Sequence, residues 1–374
     1  MKKKKSIRRV MAMVLSVLLM MSCLVPCQTV FAADQESNDA SKQLATAAAT
    51  AISKTYDRVM SRPYTPGADD IFMSAMTAYL RKKDDPNPVK PGPYTNDIEK
   101  AEAGCRLTLP VEGYPDVTVQ LYVPKTKKGS LPLIVYFHGG GYFCGDEKSV
   151  GPYAKLLASN GYVVANVEYA LSPENTYPAA LMQSITAADY LYQNAAKYGI
   201  DSTKIFFGGN SAGAHLASQV ALCYTNPTYA TMVAAKTNIP AKNIRGLLLY
   251  NGVYNFETFY QDDFGFPGFD KYLGWAWTGR KDYRNDPRLH ETSTVYFVNK
   301  DFPSCFITVG DADKVKIQTD EFIGQLKKNN IDYTSLLWDG SNAGLGHDYI
   351  YNLERKEAQK AYQMSVEYLN AHSK

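Results

Sequence analysis

The pentapeptide Gly209-Asn210-Ser211-Ala212-Gly213 lies between two segments of different periodicity. Before it, residues 204–208 form a short apolar run that predicts a strand, and after it residues 214–222 have helical spacing. A strand that turns sharply into a helix strains the middle residue, and the flanking glycines are needed because a Cβ would collide with neighbouring backbone. We therefore expect the Ser211 hydroxyl to be held out at the carboxyl edge of a sheet.

The segments around this pentapeptide alternate between predicted strands and predicted helices. Strands are expected at 131–137, 162–169, 205–208, 244–250, 304–309 and 333–338, and helices at 150–159, 184–198, 212–224 and 354–369. This alternation predicts an α/β fold with a mostly parallel sheet and helices on both faces. Two further segments, 105–111 and 117–123, predict a hairpin at the sheet edge. Ligands of such sheets bind beyond the carboxyl ends of the strands.

A second glycine motif, His138-Gly139-Gly140-Gly141-Tyr142, follows the apolar strand at 131–137. Alone it would indicate an ordinary flexible loop, but here it ends at the same sheet edge as the serine. Successive glycines let backbone N–H groups approach a substrate and stabilise a developing oxyanion. The predicted donors are the N–H groups of Gly140, Gly141 and Ala212. The adjacent Tyr142 and Asn210 are predicted to contact substrate.

A serine nucleophile needs a histidine base, which in turn is oriented by a carboxylate. In sheets of this kind both partners follow the serine along the chain. His347 is the preferred base, because the glycine-rich loop at 340–346 presents it after the last predicted strand. His372 lies near the C-terminus and is expected to fray, and His290 lies in a polar stretch. His215, one helical turn after the serine, is expected to pack beneath the loops.

Two aspartates could serve as the acid of this arrangement. The strand at 304–309 ends in Gly310-Asp311-Ala312-Asp313, so both carboxylates lie at the carboxyl end of a strand. Asp313 is preferred, because Asp311 directly follows the glycine and could instead stabilise the turn through hydrogen bonds to backbone.

Several motifs together resemble one family. They are His138-Gly139-Gly140-Gly141, Tyr169-Ala170-Leu171-Ser172-Pro173-Glu174 with Pro178-Ala179-Ala180, Gly209-Asn210-Ser211-Ala212-Gly213, Gly310-Asp311-Ala312-Asp313 and Gly346-His347. This set, over residues 117–374, resembles the α/β-hydrolase esterases of the hormone-sensitive-lipase-like group. Asn210 departs from the acidic residue usual before the serine, and the segment at 310–313 lacks the family's Asp-Pro-Leu triplet.

The resemblance implies a carboxylic-ester hydrolase with an α/β-hydrolase fold and an N-terminal helical cap. It implies that Ser211 is the nucleophile, with Asp313 and His347 as its partners, and it supports the same three oxyanion donors. The expected substrate is a small-molecule or carbohydrate ester with a short acyl, acetyl or feruloyl group. Two alternatives are a non-catalytic binding protein built on the hydrolase fold and a serine peptidase of that fold.

An aromatic-rich segment at 254–277 follows the strand at 244–250, and 10 of its 24 residues are Phe, Tyr or Trp. Such a segment could line an acyl pocket or stack on sugar or phenolic rings. Alternatively, it could be a helix that packs its aromatic side chains into the core. The sequence leaves these two interpretations open.

The first 33 residues predict an export signal. Six Lys and Arg residues within 1–9 precede an apolar stretch at 10–25 and small residues that suit cleavage. An uncleaved anchor is the alternative, but the stretch is shorter than the ~20 residues of a membrane span. We expect a secreted or cell-surface protein with no stable membrane span after cleavage. Residues 34–95 are predicted to be a helical cap, with helices at 39–62 and 69–82 and a Pro-rich joint, and 96–374 the catalytic domain.

Composition excludes several other classes of function. The chain has 40 basic and 37 acidic residues, and without the six basic residues of the signal the balance is 34 to 37, a net charge of −3. Such a chain does not predict a nucleic-acid-binding surface. The five histidines have no metal-ligand spacing with cysteine or acid, so no metal and no cofactor are expected. Four cysteines remain after processing, and their pairing is open.

Overall fold

The apolar runs of the sequence form the strands of one mixed sheet. The computed structural model of the protein describes residues 55–56, 58–61, 63–83, 88–126, 128–259 and 268–374. Within them, eight strands are arranged in the order β1-β2-β4-β3-β5-β6-β7-β8. β1 pairs antiparallel with β2, and β2 antiparallel with β4, while the remaining neighbours are parallel. The α/β fold with a mostly parallel sheet, predicted from sequence, is confirmed.

The strands have the following bounds: β1 Ala101–Val111, β2 Tyr114–Pro124, β3 Leu131–Phe137, β4 Val163–Glu168, β5 Ile200–Asn210, β6 Ile244–Tyr250, β7 Cys305–Thr308 and β8 Tyr333–Leu336. The longer helices are α1 Ala68–Lys83, α2 Gly151–Ala158, α3 Ala179–Gln193, α4 Ala212–Thr225, α5 Phe269–Thr278, α6 Lys316–Lys328 and α7 Lys356–His372. Short helical turns lie at Gly92–Tyr94, Thr95–Ile98, Ala195–Tyr198, Pro227–Met232, Ala241–Asn243, Tyr283–Asn285, Arg288–Glu291, Thr294–Tyr296 and Tyr349–Tyr351.

Two apolar clusters cover the two faces of the sheet. Along β3, Leu133, Val135 and Phe137 belong to one cluster, which includes side chains of α3, α4 and α6. Ile134 and Tyr136 belong to the other, which includes α2 and α7. Because successive strand residues point to opposite faces, a strand covered on both sides needs a continuous apolar run. This explains why β3 reads as uninterrupted hydrophobic sequence.

Most predicted elements lie within a few residues of their observed bounds, but two predictions are wrong. The helix expected at 184–198 begins at Ala179 and gives way at Asn194 to a separate short turn. His372 does not fray, because α7 continues through it. Its Nδ1–H donates to the Tyr368 carbonyl at 2.8 Å, and its Nε2 lies 3.1 Å from Ser304 Oγ.

Helix α1 joins the N-terminal part of the chain to the sheet edge that carries the serine. Thr77 Oγ1 lies 2.7 Å from the hydroxyl of Tyr272 in α5. Arg81 donates from Nε to the Phe143 carbonyl at 2.6 Å and forms a two-pronged contact with Glu174. The division into a cap at 34–95 and a catalytic domain at 96–374 stays a prediction, and so does the signal at 1–33. The signal and most of the helix expected at 39–62 lie outside the described residues.

None of the helices in the described ranges combines the length and the apolar character needed to cross a bilayer.

Candidate active site

The turn from β5 into α4 holds Ser211 in a strained conformation. Its φ of 52° and ψ of −120° lie outside the regions that non-glycine residues ordinarily adopt. A Cβ on Gly209 or Gly213 would overlap the Phe137 carbonyl oxygen, so both positions require glycine. The Ser211 N–H donates to the Tyr250 carbonyl at 2.8 Å, which ties the turn to the end of β6. The pentapeptide thus adopts the strand-to-helix turn that its sequence predicts.

Three of the predicted side chains meet at this turn. The Nε2 atom of His347 lies 2.8 Å from Ser211 Oγ. On the other side of the ring, Nδ1 lies 3.0 and 3.2 Å from the two carboxylate oxygens of Asp313. Because a carboxylate can only accept, Nδ1 carries the proton, and in neutral His347 the Nε2 atom accepts from the serine hydroxyl. This is the geometry in which imidazole can remove the hydroxyl proton.

The two candidate aspartates have different surroundings. Asp313 is buried, and its oxygens also accept from Asn251 Nδ2 at 2.5 Å and from the Val315 N–H at 3.0 Å. Asp311 accepts the backbone N–H groups of the loop before His347, namely those of Ala343 at 2.8 Å, Gly344 at 3.3 Å and Leu345 at 2.7 Å. Asp313 therefore contacts the ring of the histidine, whereas Asp311 fixes the loop that carries it.

The charges around His347 determine its protonation. Burial alone would lower the pKa of this imidazole, but the carboxylates of Asp348 and Asp313 outweigh burial and raise the pKa to about 9. Burial likewise would raise the pKa of Asp313, but the hydrogen bond and charge of His347, helped by Asn251 and Val315, lower it below its ordinary value. The pair is therefore most stable with Asp313 ionised.

The glycine loop after β3 lies against the same cavity as the serine. Gly140 and Gly141 have φ values of 103° and 58°, and the Gly140 carbonyl accepts from the N–H groups of Phe143 at 3.1 Å and Cys144 at 3.0 Å. Gly140, Gly141 and Ala212 all line the cavity with Ser211. Since α4 begins at Ala212, the N–H groups of its first turn have no acceptor within the helix. The residues of the three predicted donors thus line the same cavity as Ser211, and their role as oxyanion donors stays a prediction.

The cavity has an aromatic wall. Its volume is about 290 Å³. Apolar side chains that line it include Phe143, Val253, Phe256, Phe259, Phe269, Leu273 and Val315. From the same segment, Tyr272, Trp275 and Trp277 are buried in the core. Both interpretations of the aromatic segment at 254–277 therefore hold for its described residues, some lining the cavity and others packing in the core.

The predicted substrate contacts, Tyr142 and Asn210, line the cavity. The polar atoms of both side chains are hydrogen-bonded to other side chains of the protein. The Nε2–H of His215 donates to the Thr292 carbonyl at 2.6 Å, so its Nδ1 accepts from the Tyr142 hydroxyl at 2.6 Å. Asn210 donates to Asp348 and accepts from Tyr351. Tyr142 is also buried, with its ring stacked on Trp277 and its carbonyl accepting from the Ser172 N–H at 2.8 Å, so its contact with substrate stays a prediction. His215 is fully buried, as the sequence predicted, and burial lowers its pKa to about 4.

Within the described residues, no group of three or more His, Cys, Asp or Glu side chains is arranged to hold a metal ion. In the same part of the chain, no disulfide joins the cysteines at 105, 144, 223 and 305. The expectation that the reaction uses neither metal nor cofactor stays a prediction.

Comparison with protein families identifies the chain. A model of the BD-FAE family matches residues 119–322, which include the glycine loop, Ser211 and Asp313. The chain belongs to the BD-FAE family. Relatives of this BD-FAE protein include those named acetyl esterase from Salmonella paratyphi A and Salmonella typhi, which are 31% and 30% identical over 223 residues. The match spans 56% of this chain and 62% of the length of these relatives.

Solved structures share the fold of this BD-FAE protein. Esterase B from Lactobacillus rhamnosis has a TM-score of 0.68 and 21% identity, over 82% of this chain and 96% of its own. A bacterial heroin esterase has a TM-score of 0.63 and 20% identity, over 83% and 92% of the two chains. The predicted resemblance to α/β-hydrolase esterases is confirmed, and the chain has that fold.

Sequence reasoning missed three residues of the site. Asn251, directly after β6, donates to Asp313, and its position at a strand's carboxyl end was a usable signal. Asp348 directly follows His347 and contributes a second carboxylate. Arg81 reaches from α1 to the carbonyl of Phe143, directly after the glycine loop His138–Tyr142, and no local pattern pointed to that contact. Positive φ values at Tyr142, Ser211, Asn251 and Asp348 also mark the site.

Proposed function

We propose that the protein is a serine carboxylesterase that hydrolyses esters through an acyl-enzyme on Ser211. The single observation that carries this proposal is the 2.8 Å contact of Ser211 Oγ with His347 Nε2, while Asp313 contacts Nδ1. Membership of the BD-FAE family and similarity to proteins named acetyl esterase support the same reaction.

In the first half-reaction, Ser211 Oγ attacks the ester carbonyl carbon as its proton moves to His347 Nε2. The carbonyl oxygen gains the negative charge, which the N–H groups of Gly140, Gly141 and Ala212 would stabilise. Collapse of this intermediate breaks the ester C–O bond, and His347 returns the proton to the departing alcohol. Asp313 stays ionised throughout and stabilises the imidazolium.

In the second half-reaction, water takes the place of the alcohol. His347 removes a proton from the water, whose oxygen attacks the acyl carbon. The C–O bond to Ser211 then breaks, the serine recovers a proton from His347, and the carboxylic acid leaves. One water is consumed, and one acid and one alcohol are formed in each cycle.

The substrates that we propose are short-acyl esters, with acetyl and feruloyl esters as the first classes to test. A cavity of about 290 Å³ suits an acyl group of that size. Aromatic side chains such as Phe256 and Phe269 in its wall can pack against an aliphatic acyl group or a phenolic ring.

Turnover of p-nitrophenyl acetate and butyrate by the wild type and by Ser211→Ala tests the function. We expect kcat to fall by at least about 10³ in the variant, since residual catalysis comes from binding and oxyanion donors alone. A fluorophosphonate probe should label the wild type and leave Ser211→Ala unlabelled. Unchanged activity in Ser211→Ala would end the assignment, and an unlabelled, inactive wild type would favour a non-catalytic binding protein.

We also propose that the protein acts outside the cytoplasm. The support is the basic segment at 1–9 followed by the apolar stretch at 10–25. Expression in a bacterial host with and without residues 1–33, followed by fractionation, tests this. Retention of the full-length chain in the cytoplasm would contradict the proposal.

A further inference from the structure

A second carboxylate lies beside the imidazole of His347, on the side opposite Asp313. Asp348 Oδ2 is 3.9 Å from His347 Nε2, the same nitrogen that contacts Ser211 Oγ. The Asp348 side chain is partly exposed and lines the cavity with Ser211. The imidazole thus has one carboxylate near each nitrogen. The sequence predicted the one near Nδ1, Asp313, but not the one near Nε2, Asp348.

The position of the Asp348 carboxylate is fixed by a chain of hydrogen bonds. Asn210 Nδ2 donates to Asp348 Oδ2 at 3.0 Å, and Tyr351 donates to Asn210 Oδ1 at 2.6 Å. The Tyr351 hydroxyl also lies 2.9 Å from that of Tyr136, deep in the core. Asp348 itself has a φ of 57°, a conformation that costs a non-glycine residue free energy. The surrounding structure therefore holds this carboxylate in place.

This network accounts for the amide at position 210. Because Asn210 both donates to a carboxylate and accepts from a hydroxyl, neither a second carboxylate nor an apolar side chain could replace it. An aspartate at 210 would bring two negative charges within hydrogen-bonding distance, and one of them would have to remain protonated. The esterases that this sequence resembles usually have an acid directly before the serine. Here that position is Asn210, and an acid, Asp348, directly follows His347.

We propose that Asp348 is a positioning residue of the esterase reaction, whose carboxylate stabilises the imidazolium form of His347 from the Nε2 side and is oriented by Asn210 and Tyr351. This inference rests on the proposed function. When the serine proton moves to Nε2, the positive charge that forms lies between two carboxylates. His347 is consequently a stronger base than it would be with Asp313 alone.

Other titratable groups around the ring stay neutral near pH 7. Burial raises the pKa values of Tyr142 and Tyr351 well above the ordinary value and lowers that of His215 to about 4. The basic residue next to Asp313, Lys314, is exposed. The carboxylates of Asp313 and Asp348 are the groups that raise the pKa of the imidazole.

The sign of the pH dependence follows from the role of the base. His347 accepts a proton only when it is neutral, so kcat/KM rises with pH through the pKa of the imidazole. Removing the Asp348 charge destabilises the imidazolium and lowers that pKa. An opposite charge at this distance shifts a pKa by about 1 to 3 units. The acid limb of the rate profile should therefore move toward lower pH, while the alkaline plateau falls because the base is weaker.

Asp348→Asn is the test, with Asp301→Asn as the matched control, since Asp301 is exposed and pairs only with Lys300 in the described contacts. The pH profile of kcat/KM on p-nitrophenyl acetate should shift down by about 1 to 3 units in Asp348→Asn and stay unchanged in the control. The ratio of activity at pH 6.5 to that at pH 9.5 should rise about tenfold or more. A profile of Asp348→Asn that overlies the wild type would overturn the proposal.

A titration of labelled histidine by NMR separates this proposal from the proposed function. His347→Gln assigns the resonance, and the imidazole pKa can then be followed without turnover. A lower pKa in Asp348→Asn supports the electrostatic role even if the protein proves to hydrolyse no ester, and an unchanged pKa refutes it even in an active esterase. If Asp348→Asn does not fold, Tyr351→Phe, which loosens Asn210, should shift the pKa in the same direction by a smaller amount.

Discussion

The substitution Asp313→Asn tests the arrangement around Ser211 most directly, because hydrogen bonding at this position requires a carboxylate. Three donors converge on the two oxygens of Asp313: His347 Nδ1–H, Asn251 Nδ2–H and the Val315 N–H. An asparagine supplies one oxygen and one NH₂ group. Wherever that NH₂ group is placed, it faces one of the three donors, so one contact must break.

The most easily broken contact is the one to His347, because imidazole can exchange its tautomer and accept at Nδ1. The proton then lies on Nε2, and that atom can no longer accept the proton of Ser211. In serine hydrolases a wrong tautomer lowers kcat by about 10⁴, which corresponds to ~5.5 kcal/mol of activation free energy at 1.36 kcal/mol per factor of ten. Folding should suffer less, since an unsatisfied buried donor costs about 1–3 kcal/mol.

The assay is kcat and KM on p-nitrophenyl butyrate, together with a thermal melt of each variant. Asp311→Asn is the matched control, because its carboxylate contacts the loop backbone at 343–345 and not the imidazole. Asp313→Asn should lose about four orders of magnitude in kcat with little change in KM, and the control should keep a kcat at least about 100-fold higher than that. The opposite ranking of the two variants would refute the assignment of the acid.

Three further predictions concern other parts of the molecule. Burial and the neighbouring Glu147 raise the pKa of Glu168 to about 8, so the folded protein keeps a proton that the unfolded chain releases near 4.5. This stabilisation is lost as pH rises from 5 to 8, and the melting temperature of the wild type should therefore fall relative to that of Glu168→Gln over this range. Arg81→Ala removes the donor to the Phe143 carbonyl and should lower kcat about tenfold on p-nitrophenyl acetate by loosening the glycine loop. Phe269→Ala enlarges the cavity and should raise kcat/KM for octanoate relative to acetate esters.

Matched controls separate these effects from general destabilisation. Phe302→Ala removes a buried phenylalanine that does not line the cavity, so it should lower stability by about 3–5 kcal/mol without changing the preference for acyl length. Lys82→Ala changes an exposed cation next to Arg81 and should leave kcat unchanged. Parallel pH curves for wild type and Glu168→Gln, or equal acyl preferences for Phe269→Ala and Phe302→Ala, would contradict the respective predictions.

The sequence predicted most strands and helices and the turn that carries Ser211, because these features depend on local patterns. Continuous apolar runs are required where a strand is covered on both faces, and glycines are required where β5 turns into α4. The sequence prediction missed the first turn of α3, which begins directly after Pro178, although a proline suits the start of a helix. The spacing of the aromatic residues at 254–277 could not show which of them line the cavity and which pack in the core, because aromatic side chains suit both environments.

The roles of Asp311, Asp313 and Asp348 depended on contacts that local sequence does not encode. Asp311 and Asp313 both follow β7, and only the direction of each side chain separates loop support from contact with His347. Asp348 was visible as a neighbour of His347 in the chain, but its effect depends on the 3.9 Å distance to Nε2 and on the amide of Asn210. Arg81 acts across 62 positions to reach Phe143, which no local motif can indicate.

The aromatic wall and the reacting groups come from separate parts of the chain. Ser211, the glycine loop and Asp313 stand at strand ends, and at Gly209 and Gly213 even an added methyl group would disturb their spacing. The apolar lining, by contrast, comes largely from the connection between β6 and β7, outside the sheet. Replacing the connection between β6 and β7 by that of a homologue should therefore change the preference for acyl length while the reacting groups stay in place. Natural variation and protein engineering can both alter substrate preference through this segment.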